Sequence, residues 1–156
     1  MSGIFGMNIK MAIYGESHGK SIGVVLDGLP PGLALDEAAI AAEMARRAPG
    51  QNALSTARKE SDTVEIQSGF FNGFTTGTPL CARIVNSDQH SKDYSILADK
   101  MRPGHADYAG HVRYQGFNDY RGGGHFSGRL TAPLVFAGAV AKQALAQYGL
   151  IVGSHI

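Results

Sequence analysis

At 156 residues with 44% hydrophobic side chains, the chain suits one domain, residues 1–156, with a sizeable core. A net charge of +1 gives no global field that would gather nucleic acid or a membrane surface, and a single cysteine, Cys81, excludes a disulfide framework and a cysteine-based zinc site. The 21 glycines cluster without a period, which excludes collagen and linker compositions and points to tight turns or to backbone that approaches a ligand closely.

The N-terminal MSGIFGMNIK lacks the apolar stretch of a signal peptide, and no apolar run nears the length of a membrane span. A soluble, cytoplasmic protein is the expectation. Residues 4–15 and 21–30 read as strands, with ESHGK as the turn between them. The segment LDEAAIAAEMARRAPG reads as a helix over 36–47. Asp36 suits its N-cap, Leu35 and Ile40 occupy the staple positions, Arg46 and Arg47 fall in the last turn, and Pro49-Gly50 is the stop. Residues 63–71 alternate as a half-buried strand, 78–86 alternate again, and NGFTTG makes the pair a hairpin. Residues 87–126 carry no sustained period, and a stretch that long without structure in a compact domain points to function. A small-residue helix follows over about 129–148, with Pro133 near its start and Gly149 as its stop. LIVGSHI reads as a further strand whose edge needs a cover or a partner.

Several stretches are candidates for chemistry. YGESHGKS resembles a phosphate loop but fails twice: its glycines are one residue too close, and β-branched Ile22, Val24 and Val25 follow where a helix is needed. The bland reading is a hairpin turn with a solvated His18. RRAPG places two guanidiniums at a helix end, which compensates the helix dipole or offers a fork to an anion. RPGHADYAGH joins Arg102, His105, Asp107 and His111. These residues allow a metal site, a His105–Asp107 pair that fixes a tautomer, or a plain loop histidine. DYRGGGHFSGR sets consecutive glycines between arginines and ahead of a helix, a composition suited to anions or to a flexible loop. Taken together, histidines and arginines on separate glycine-rich turns encode a site for a polyanionic small molecule with proton transfer. A non-catalytic anion-binding module and a metal-dependent hydrolase are the alternatives.

GESHG, DGLPPG, RRAPG, RKESDTVEIQSGFFNGFTTGTP, DQHSKDYS, RPGHADY and DYRGGG occur in this order, and the chain resembles the chorismate synthase family in all of them. The resemblance implies an α+β fold of mostly antiparallel sheet against helices, a β-α-β sandwich, in a tetramer. It implies an anti-1,4 elimination of phosphate from 5-enolpyruvylshikimate 3-phosphate with reduced FMN, in aromatic amino acid biosynthesis. His18 then matches the histidine beside the departing phosphate, and Ser17 touches the substrate. His105 matches the histidine that protonates the flavin near N1. Arg47 matches a residue for nucleotide or flavin-reductant binding, with NADPH implied only where reductase activity is present. His125, Phe126 and Ser127 match the flavin-contacting tripeptide, and Arg129 the substrate-phosphate arginine. No metal is implied. The chain departs from the family where HFSGRLT replaces R-S-S-A-R-E-T, where Ala48 and Ala53 replace arginines, and in its shorter length.

Overall fold

The computed structural model describes residues 3–48, 61–87 and 99–154. Elements follow in chain order as β1 Ile4–Phe5, β2 Lys10–Gly15, β3 Ser21–Asp27, α1 Glu37–Arg47, β4 Val64–Ser68, β5 Phe70–Phe71, β6 Phe74–Thr75, β7 Leu80–Val85, α2 Asp107–Arg113 and α3 Thr131–Ala146. Five strands form one antiparallel sheet in the order β1-β2-β3-β7-β4, and β5 with β6 forms a small separate hairpin.

The alternation along β3 and β7 explains which face is covered. Ile22, Val24 and Leu26 stand beside Ile84, Ala82 and Leu80 in register, and all six are buried. Ile40 and Met44 of α1, with Ala132, Phe136 and Val140 of α3, complete this core. Fully burying one such large apolar side chain contributes about 1.5–3 kcal/mol. The opposite face carries a row of Tyr14, Gly23, Arg83 and Glu65 in register. Gly23 is required there, because the Tyr14 phenol lies where its Cβ would be.

α1 begins where the sequence places it. The Asp36 carboxylate accepts from the backbone N–H groups of Ala38 and Ala39 at 2.8 and 3.0 Å. Gln143 of α3 grips the same residue, accepting from its N–H at 2.7 Å and donating to its carbonyl at 3.1 Å. The two helices are thereby fixed side by side. The antiparallel sheet packed on helices is the α+β class the sequence implies.

Several boundaries differ. Residues 4–15 form two strands, because Gly6 takes φ +103° and reverses the chain so that Ile4 pairs with Ala12. The predicted hairpin of 63–71 with 78–86 is present as β4 and β7, with β5 and β6 added at its tip. The stretch 87–126 is not structureless: it contains α2, and a 3₁₀ turn spans Arg121–Phe126. α2 escapes detection because it buries only Asp107 and Gly110, so it presents no apolar stripe. Residues 150–154 are not a strand, and Ile151 is 97% exposed. No neighbouring strand among the described residues offers the hydrogen bonds that a strand requires. No described helix is long and apolar enough to cross a membrane.

Candidate functional site

The turn between β2 and β3 places Ser17 and His18 inside the protein. Ser17 is 1% exposed and His18 5%, so His18 is not the solvated turn histidine of the bland reading. Lys20 and Ser21 lead into β3 rather than a helix, so the turn does not run into a helix as a phosphate loop does. Its shape is set from outside. The Asn86 side-chain amide donates to the carbonyls of Glu16 and Gly19 at 3.0 and 2.9 Å, and the Asn86 N–H donates to the Lys20 carbonyl at 3.2 Å.

The triple glycine closes over the turn. Gly122, Gly123 and Gly124 all have positive φ, at 58, 85 and 54°. A Cβ on Gly122 would lie 2.4 Å from His18 Cδ2, so the imidazole packs directly against backbone there. The Ser17 N–H donates to the Gly124 carbonyl at 3.0 Å. His125 Nδ1 lies 2.8 Å from the Gly15 carbonyl, and since a carbonyl only accepts, Nδ1 carries the proton. Just ahead of the glycines, Arg121 forks onto Asp119 at 2.8 and 2.7 Å. The Arg121 hydrogen bonds hold the Asp119 carboxyl below its usual range against partial desolvation, with a small contribution from His18.

The loop before α2 approaches the same glycines. The Arg102 guanidinium reaches Asp107 at 2.8 and 3.0 Å and lies 3.7 Å from where a Gly123 Cβ would stand. Asp107 is therefore engaged by Arg102 rather than by His105, which is exposed. The Arg102 hydrogen bond keeps the Asp107 carboxyl below the ordinary carboxylate range. His111 lies beside Gly116 instead of joining His105, and the described residues contain no cluster suited to a metal.

Arg47 and Arg129 meet on a residue that sequence reasoning passed over. Asp62, fully buried as a side chain, forms ion pairs with both guanidiniums. Arg129 Nε also donates to Asn86 Oδ1 at 3.1 Å. Asn86 was legible in principle: Leu80, Ala82 and Ile84 mark the inward face of β7, and Asn86 continues that register as a polar residue.

Phe126 packs under Gly110 and lies 6.2 Å from Tyr114 between ring centroids. A cleft of about 400 Å³ opens there, lined by Ala106, Tyr114, His125, Phe126 and Ser127 among others. A second of about 330 Å³, lined by Glu16, Asp119, Tyr114 and His125, adjoins it. Ser127 accepts from the Arg129 N–H at 3.3 Å and starts the descent into α3. The site residues singled out in the sequence thus fall into three connected groups: Ser17 and His18 at the turn with His125, Phe126 and Ser127 following the triple glycine; Arg47 with Arg129 at Asp62; and His105 on the Arg102 loop. Pro49, Gly50, Ala53 and the DQHSKDYS motif lie outside the described residues.

A family model described as chorismate synthase matches residues 9–156. The chain is 49% identical over 156 residues to the chorismate synthase of Cytophaga hutchinsonii, covering all of this chain and 43% of that protein. It is 53% identical over 152 residues to that of Sulfurimonas denitrificans and 48% over 151 residues to that of Pyrococcus abyssi, covering 97% of this chain and 42% of each relative. A crystal structure of chorismate synthase matches with a TM-score of 0.67 at 32% identity, over 94% of this chain and 36% of that one. The chain spans less than half the length of these relatives.

Proposed function

Because the chain belongs to the chorismate synthase family, we propose that it forms the N-terminal part of a site that eliminates phosphate from 5-enolpyruvylshikimate 3-phosphate in anti-1,4 fashion. The substrate's C–O bond breaks, a hydrogen leaves C6, and chorismate and phosphate are the products. The observation that carries this reading is His18, buried in a clamped turn and pressed against the bare backbone of Gly122. An imidazole titrates near neutral pH and can protonate phosphate as it departs. Ser17, on the same turn, orients the substrate. Arg129 and Arg47 offset the negative charge of phosphate and carboxylates, with Asp62 between them setting how much cationic charge remains.

The groove at His125, Phe126 and Ser127 fits a flavin ring: Tyr114 and Phe126 give flat apolar contact, and Ser127 a hydroxyl. Arg102 near Gly123 suits the flavin phosphate. Reduced FMN held there would supply transient electron donation, with no net redox change in the reaction. His105 holds a proton for the flavin N1 position, and Arg47 is the residue for an NADPH-dependent reductase activity if this protein has one. The site works in a cytoplasmic homotetramer.

A second reading, a non-catalytic flavin-binding module, is favoured by one observation: Arg47 and Arg129 are already paired with Asp62, which leaves less cationic charge for a departing phosphate. Anaerobic incubation with reduced FMN and the substrate, with and without the C-terminal portion of the Sulfurimonas relative, separates the two. Release of phosphate and chorismate that His18→Gln reduces supports the enzyme. FMN binding without release in either mixture supports the module. Neither binding nor release sinks both.

A further inference from the structure

We propose that Asn86 is a positioning residue that couples the His18 turn to the Arg129 guanidinium. The inference rests on the reading of His18 and Arg129 given above. Asn86 sits where β7 ends, 6% exposed, and its side chain divides its hydrogen-bonding capacity between two elements. Its two N–H donors go to the carbonyls of Glu16 and Gly19, one on each side of Ser17 and His18. Its oxygen takes the Arg129 Nε–H at 3.1 Å. A planar amide holds donors and acceptor at fixed angles, so the turn and the guanidinium cannot shift independently. Only an amide does this: a carboxylate of the same shape keeps the acceptor and loses both donors. Sequence separations of 67 to 70 residues on the turn side and 43 on the arginine side make this a tertiary device.

Asn86→Asp and Asn86→Ala test it, read by NMR of the whole chain. In the parent protein the Arg129 Nε–H resonance is protected from exchange, and the Ser17, His18 and Gly19 amides are sharp. Asn86→Asp keeps the Arg129 signal and broadens the turn amides, while Asn86→Ala loses both. In each variant the β3 and β7 amides at Val24 and Ala82 stay protected. With inorganic phosphate as the probe, both variants bind at least about tenfold more weakly, since a misplaced group loses affinity and rate steeply. Turn and Arg129 signals that respond together in Asn86→Asp overturn the proposal, as does loss of Val24 and Ala82 protection in that variant. If Asn86→Ala does not fold, Asn86→Asp decides alone. Phosphate that leaves the His18 resonances of the parent protein unmoved sinks the functional reading instead, and the Nε–H and amide signals still judge Asn86.

Discussion

The imidazole of His125 donates to the backbone carbonyl of Gly15 at 2.8 Å, a contact between residues 110 positions apart. It fastens the triple-glycine segment onto the turn that carries His18. Long-range nitrogen spectra at a pH where the ring is neutral are expected to show Nδ1 protonated and Nε2 bare. His125→Ala costs about 1 kcal/mol of unfolding free energy by losing a hydrogen bond of ordinary worth. An Nε2-protonated ring would contradict the geometry.

Asp62 offsets two guanidiniums at once, with Arg129 only 3% exposed. Asp62→Asn leaves cationic charge facing cationic charge inside the protein. Breaking a buried pair by removing one partner costs about 3–5 kcal/mol, so urea unfolding midpoints fall sharply. A second substitution, Asp62→Asn with Arg47→Met, recovers part of that loss, because Arg47 no longer repels Arg129.

Gly122 has no room for a side chain. At φ +58° an alanine costs roughly 1 kcal/mol from backbone alone. Its methyl also displaces the His18 ring, whose Cδ2 lies 2.4 Å from the Cβ position. Gly122→Ala is expected to shift the His18 ring resonances and weaken phosphate binding, with a thermal midpoint lowered by only a few degrees. Gly128→Ala, where nothing lies within 4 Å of the added carbon, is the comparison that leaves His18 unmoved.

Asp107 supplies a pH dependence. Its folded carboxyl titrates below the unfolded value, chiefly through the hydrogen bond from Arg102. The stabilisation is therefore present above the unfolded pKa of about 3.9 and is lost as pH falls through the folded one. Arg102→Met removes that bond and lets burial push the carboxyl upward. The acid limb of the variant's stability curve begins at higher pH, while above about pH 7 the Asp107 contribution is constant in both proteins. Urea denaturation across this range, with the Asp107 carboxyl followed by NMR, reads both effects.

Local pattern was enough for α1, β3, β4 and β7. Their side-chain periods of 3.6 and 2 are properties of neighbouring residues, and Asp36 caps α1 because its carboxylate reaches amides only two and three positions away. The turn at 15–20 was legible for the same reason, since β-branched residues after Ser21 favour a strand. Pattern failed for α2, which has no apolar stripe, and for 4–15, where one glycine at positive φ folds a single apolar run into two strands.

What the sequence by itself determined is α1, α3 and the strands β3, β4 and β7, because the patterns that specify them lie within a few residues. Arg102 and Arg121 pair with carboxylates five and two positions away, but the pairing at Asp62 was decided by tertiary structure. Arg47 and Arg129 reach Asp62 across 15 and 67 positions, and Asn86 reaches the His18 turn across about 70. Burial leaves a charged or polar group no water to fall back on, so each must meet a partner that only the packing of β7, α1 and α3 brings within reach.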